Sequence, residues 1–285
     1  MASKAGAPDK EDFTVPTSAY RLVAPSFRKL RQTIETLRDH QARANQQTSY
    51  LYVSNINQAL FKRLEDNADL FRGVKALIDH SHRQVLYKMP SSAHARIAGT
   101  FHSFVILKLA AMGLSMFNKT VISCGSARQL GVVCSKEPDW SFKPGNMSDG
   151  ALGGSEYPSL ILEVGYSEST NHLRSEARWW HANTNKGSVS TKLVVLICLE
   201  PADPTNVKFE IWTELDNSST ARITRSRPAT TLACTQQASL VGGSVVGAPL
   251  TLDFELTMRR PPGNKKEGDI IMQERDLKLI CGQDF

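Results

Sequence analysis

Glu163 is the single charge in the apolar run Leu160-Ile161-Leu162-Glu163-Val164-Gly165, and Asp139 stands in the shorter run Pro138-Asp139-Trp140-Ser141-Phe142 that precedes it. A carboxylate buried without a partner costs roughly several kcal/mol, so something cationic has to meet it. A hard divalent ion shared by the two side chains would do so. Mg2+ takes one or two carboxylates together with backbone carbonyls and water, and it leaves room for phosphate oxygens. Bound there, such an ion activates water and stabilises the charge of phosphodiester cleavage. The competing reading needs no metal: Asp139 begins a turn after Pro138, and Glu163 forms an ion pair with Arg174 or Arg178 on the next helical run.

Arg174 and Arg178 lie one helical turn apart in Leu173-Arg174-Ser175-Glu176-Ala177-Arg178-Trp179-Trp180, so both can point to one face. A guanidinium hardly deprotonates, so either could stabilise charge but would serve poorly as a general base. His94 stands at the start of a helical run, in Ser92-Ala93-His94-Ala95-Arg96. Trp179 and Trp180 could stack nucleobases or simply pack in a core. Ser167 and Ser169 are placed to cap the helix that follows them. The chain has no GxSxG, Walker or Rossmann fingerprint, and its glycine-rich Gly150 to Ser155 lacks a phosphate-binding lysine.

The elements that must hold these residues follow from periodicity. Ile97, Phe101, Phe104, Val105, Leu109 and Met112 form an apolar stripe that predicts a core helix over Ser92 to Met112. Short β-rich runs follow at Thr120 to Cys124, Pro138 to Lys143 and Leu160 to Tyr166, then a helical segment from Thr170 to Asn183. Leu193 to Leu199 is wholly apolar and reads as a strand buried on both faces. Val207 to Glu214 alternates like another strand. Before this block, Phe27, Leu30, Ile34 and Leu37, and then Ile56 to Ile78, keep helical spacing, so residues 18–83 read as a helical extension behind a structureless 1–17. After it, residues 216–285 read as a β-rich addition. There, Ser218 to Gly247 forms a flexible insert, Leu250 to Met258 is a strand with one wet face, and Leu277 to Cys281 is a further short strand.

Composition narrows the class. With 285 residues, 41% of them hydrophobic, the chain can bury a full core without disulfides or a metal staple. Five scattered cysteines read as reduced thiols, and no eighteen uncharged apolar residues run together. The expectation is an intracellular protein of the cytoplasm or nucleus that does not enter membranes. A net charge of +6 favours polyanions, which makes DNA or RNA the expected partner, with Arg222, Arg225 and Arg227 as one basic cluster for it.

A helix, strands with Pro-Asp on the second and Glu-Val on the third, then a helix and a strand resemble the αβββαβ core of the PD-(D/E)XK, or restriction-endonuclease-like, nucleases. The match runs from about Pro90 to Trp212, within residues 84–215, and is narrowest with a group of fungal proteins and, more distantly, a bacterial endonuclease-like family. The resemblance implies an α/β fold with a mixed sheet, Mg2+ or Mn2+ held by Asp139, Glu163 and Val164, and cleavage of nucleic acid. It also implies a lysine two positions after the glutamate, where this chain has Gly165. In some relatives the basic residue has moved to the next helix, which here points to Arg178 and then Arg174, with Lys192 a weaker third, reaching into the space that a glycine leaves beside the carboxylates. The resemblance also puts His94 near the rim of the site. Without such a cation the domain would bind nucleic acid or a protein partner and cut nothing. A third expectation is a structural or assembly protein.

Overall fold

Strand and helix interleave from Tyr20 onward in the computed structural model, which describes residues 13–43, 48–67, 70–131, 134–145, 157–166, 170–184, 190–200, 203, 205–216 and 230–282. They run β1 (Tyr20–Val23), α1 (Phe27–Arg43), β2 (Ser49–Ser54), α2 (Gln58–Asp66), β3 (Lys75–Asp79) and β4 (Gln84–Met89). This corrects the expected helical extension. Val74, Leu77 and Ile78 fit a helical period, but β3 is a strand covered on both faces: Ala76 and Ile78 pack on α1 and α2, and Leu77 packs towards the middle of the protein. Runs buried on both sides carry no period that separates strand from helix. Nor is the segment just before β1 structureless, since the Thr14 hydroxyl meets His172 Nδ1 at 2.9 Å and Ser175 Oγ at 2.8 Å.

The apolar stripe of Ile97, Phe101, Val105 and Leu109 builds α3 (Ser92–Ala111), whose N-cap Ser91 accepts from the backbone N–H of His94. The chain then continues through β5 (Val121–Gly125), β6 (Gln129–Leu130), β7 (Cys134–Lys136), β8 (Trp140–Pro144), β9 (Leu160–Tyr166), α4 (Thr170–Asn183), β10 (Leu193–Leu199) and β11 (Val207–Asp216). Strands β9 and β10 are parallel, joined by α4 as the crossover, and β8 and β11 flank them antiparallel. A long β12 (Thr230–Val241) and β13 (Ser244–Val246) complete a seven-stranded sheet ordered β13-β12-β11-β10-β9-β8-β5. From Thr230 onward, the expected flexible insert is therefore strand. Its Thr, Ala, Gln and Ser side chains are mostly exposed or half-buried, so apolar alternation could not mark it. Residues 217–229 lie outside the described residues.

Strands β6 and β7 leave this sheet and join the other one, which is six-stranded and ordered β1-β2-β4-β3-β7-β6. The two sheets face each other with α4 between them: Tyr50, Leu77 and Leu86 of one meet Ile161, Val194 and Leu196 of the other around Leu173 and Trp180. The fold is thus α/β with mixed sheets and, among the described residues, six helices.

The C-terminal segment packs on the outer side of α3 and differs from expectation in two places. The strand from Leu250 stops at Leu252 as β14, because the Asp253 side chain accepts from the backbone N–H of Leu256 and starts the short helix α5 (Phe254–Met258). After β15 (Ile270–Met272), the expected strand at Leu277 is instead helix α6 (Glu274–Ile280), begun by a reciprocal cap between Gln273 and Asp276. No helix among the described residues is long and apolar enough to cross a membrane, and all five cysteines are free thiols.

Candidate active site

Side chains alternate along β9, so Leu160, Leu162 and Val164 enter the core under α3 while Ile161 enters the core between the sheets. Glu163 shares the face of Ile161. Its neighbour Asp139 precedes β8, with its backbone N–H on Leu162 O at 3.2 Å and its Oδ2 accepting from the Val164 N–H at 2.7 Å. Pairing of β8 with β9 thereby aims both carboxylates at the opposite sheet.

That sheet answers with lysines. The Lys88 ammonium, from β4, lies 2.8 Å from Asp139 Oδ2 and 3.4 Å from Glu163 Oε2. Lys136, from β7, lies 3.1 Å from Glu163 Oε1 and 3.0 Å from Glu176 Oε1 on α4. Helix α4 adds the Trp180 indole N–H, which donates to Glu163 Oε1 at 2.8 Å, and His172, 3.5 Å from Glu176. From the first turn of α3, His94 Nε2 approaches Asp139 Oδ1 to 2.9 Å, with Thr48 Oγ1 3.2 Å from its other ring nitrogen. Lys75 donates to the backbone carbonyl of Pro138 at 2.9 Å.

The ion-paired centre is buried: the Asp139 and Glu163 side chains are 0% and 1% exposed, and Lys88 is 8% exposed. Burial alone would raise the Asp139 carboxyl, but His94 and Lys88 outweigh it and hold the group well below the usual carboxylate range. For Lys88, burial works against the charge, yet Asp139, Glu176 and Glu163 keep its proton bound well above the ordinary lysine range. Glu163 goes the other way. Burial and the nearby Glu176 push it up against the pull of Lys136 and Lys88. Burial lowers His94, so its imidazole is neutral at pH 7.

Two spaces adjoin the cluster. A cleft of about 410 Å3 reaches Asp139 along α3. On the other side a void of about 20 Å3, bordered by Tyr50, Lys88, Lys136 and Glu163, has room for a water.

The arginines expected to serve this site are elsewhere. Arg174 is committed to Glu210 on β11, with its guanidinium 2.5 Å from Oε1, and Arg178 is exposed. The helix turns its His172, Glu176 and Trp180 side towards the carboxylates, which leaves Arg174 and Arg178 on other faces. Lys192 precedes β10, whose register partner for Glu163 is Leu196. Arg222, Arg225 and Arg227 fall outside the described residues, as do Ser167, Ser169 and the glycine-rich stretch.

Gly165 leaves no space for a cation either, since a Cβ built there would lie 3.0 Å from the buried Leu173 side chain. Gly165→Lys is therefore expected to lower stability by about 1–3 kcal/mol through overpacking, read from urea denaturation, and to create no activity. Unchanged stability would show that Leu173 yields freely.

Lys88 and Lys136 escaped the reading of the sequence, although a signal existed. Lys88 is a lone charge in Val85-Leu86-Tyr87-Lys88-Met89, the same anomaly that singled out Glu163. The donor types suit a hard divalent ion: carboxylates on adjacent strands converge on one cationic point, held here by the Lys88 ammonium. No three His, Cys, Asp or Glu side chains among the described residues gather as a metal-holding group, so an ion at this pair would complete its shell with backbone oxygen and water, as Mg2+ does. Compared with protein-family models and with curated proteins, the chain matches none.

Proposed function

We propose that Asp139, Glu163 and Lys88 form a metal-dependent centre for phosphodiester cleavage of nucleic acid, of the PD-(D/E)XK type, with the lysine supplied from the opposite sheet. One observation carries this reading: an ammonium from β4 lies within 3.4 Å of both carboxylates, where the motif lysine displaced by Gly165 would act. The order α3, β5, β8, β9, α4, β10 and the net charge of +6 add support.

Asp139 and Glu163, with backbone oxygen from the Val164 strand, would hold Mg2+ or Mn2+, which supplies an activated water and neutralises phosphate charge. Hydrolysis would join a water oxygen to phosphorus and break one ester P–O bond, the departing oxygen taking up the proton that the water gives up. Lys88 keeps its own proton and serves as a fixed positive charge for the charge that develops on phosphate oxygens. His94 is a positioning residue, bearing on Asp139 Oδ1 as a neutral imidazole. Lys136 and Trp180 orient Glu163 from its other oxygen.

The same ammonium favours a second reading. It can stand permanently in the ion's place, leaving a module that binds nucleic acid or a protein partner without cutting. Labelled single-stranded and duplex oligonucleotides incubated with Mn2+ or Mg2+ separate the two. The proposal expects cleavage that is abolished by chelation and by Asp139→Asn; retained affinity without cleavage under either ion gives the second reading.

A further inference from the structure

We propose that the cleft of about 410 Å3 beside Asp139 is a pocket for one unstacked nucleotide, so that the strand presented to the site is single-stranded or locally unpaired. This rests on the phosphodiester reading of the Asp139–Glu163 pair. Helix α3 forms one wall with Ala95, Gly99 and His102, while Gly73 and Gly125 line the cleft with them and Asp139 is among its residues.

The three glycines give the first argument. A Cβ at Gly73, Gly99 or Gly125 would meet nothing within 4 Å. Gly73 and Gly125 have positive φ, which accounts for glycine there, but Gly99 lies inside α3 with no such need. Glycine weakens a helix relative to alanine, and no neighbour in the fold demands its small size. Close approach of a bound molecule explains it.

The second argument is chemical. His102 lies against Trp140 with ring centroids 4.9 Å apart and 30° between planes, and it remains only half-buried, a flat surface on which a base can stack. Burial lowers its pKa, so the imidazole is neutral and suited to a base rather than a phosphate. Pro90 and His94 bring the start of α3, free of acidic residues in its first turn, to the same cleft, where helix N–H groups favour phosphate.

The third argument is access. A stacked duplex is too wide for a cleft of about 410 Å3, whereas a strand with one nucleotide turned into it brings its phosphate towards Asp139, which lines the cleft. A peptide or a second helix could also cover small residues on α3, but neither would draw on a stacking ring and a helix start beside a buried carboxylate.

The test uses the full chain with Gly99→Leu, Gly99→Ala and His102→Ala, and a single-stranded oligonucleotide carrying 2-aminopurine, whose fluorescence reports unstacking. Leucine favours helix more than glycine, so Gly99→Leu should fold with an unchanged or higher melting temperature while filling the cleft. It is expected to weaken oligonucleotide binding at least about tenfold, Gly99→Ala to bind within about threefold of wild type, and His102→Ala to lose roughly tenfold, the scale of one stacked base. Single strands should be cut at least about tenfold faster than duplexes of the same sequence.

Binding that is indifferent to Gly99→Leu, or equal rates on duplex and single strand, overturns the pocket while leaving the cleavage reading intact. Binding that depends on Gly99 and His102 without cleavage under any metal keeps the pocket and removes the cleavage reading. No oligonucleotide binding, with a molecular mass in light scattering that changes on Gly99→Leu, assigns the cleft to a second copy of the chain and overturns the proposal.

Discussion

Lys88→Arg is expected to lower the cleavage rate on the order of 10²-fold while most of the folding stability remains, because the charge stays but its compact ammonium geometry is lost. Lys88→Met should lose at least as much rate and also stability, since Asp139 and Glu163 would face each other at 0% and 1% exposure without the ammonium between them. Removing one partner from a buried ion pair costs about 3–5 kcal/mol. The arginine variant therefore separates chemistry from folding. Binding of the oligonucleotide should change far less than rate. Arg178→Ala is the control, because that side chain is exposed and touches none of the cluster. An Arg178→Ala loss equal to that of Lys88→Arg, measured under single-turnover conditions, would return the cationic role to α4.

Stability is expected to fall on mild acidification, by about 2 kcal/mol per pH unit between pH 6 and pH 4 from two histidines. Burial lowers His172 to about 3, with Lys136 adding to it, and burial lowers His181 to about 4. Both rings are neutral in the fold at pH 7, whereas in the unfolded chain they titrate near the ordinary value of about 6.5. Below that pH the unfolded state binds protons that the folded state cannot. Their contribution is thus fully present above the unfolded pKa and is lost as pH falls towards the folded ones, at no more than roughly 1.4 kcal/mol per unit for each ring. Glu163 opposes this within the carboxylate range, because its raised pKa lets the folded state take up a proton first. Urea midpoints at pH 7, 6 and 5 measure the slope. The double variant His172→Gln, His181→Asn should flatten it, and an unaltered slope would mean that these rings titrate normally in the fold.

How much was legible in the sequence depended on distance along the chain. The stripe from Ile97 to Leu109 and the apolar run Leu193–Leu199 reveal α3 and β10 because each records a single, strong burial pattern. Asp139 and Glu163 stand out by type, since a carboxylate in an apolar strand calls for a partner. The partner itself was hidden. Lys88 reaches Asp139 across 51 residues of sequence, from a sheet whose strand β3 mimics a helical period. With that sheet unseen, only the next helix could be searched for a cation, and its arginines proved to serve Glu210 and the surface. The C-terminal errors have a local cause: the Asp253 cap and the Gln273–Asp276 cap convert strand-like alternation into short helices.

The most direct measurement is a crystal structure with Mn2+ bound, read from its anomalous difference density. The account predicts one peak within coordination distance of Asp139 and Glu163, with Lys88 still beside the carboxylates and the peak lost in Asp139→Asn. Crystals soaked in Mn2+ that show no peak there, and Lys88 unmoved between the two carboxylates, would contradict it.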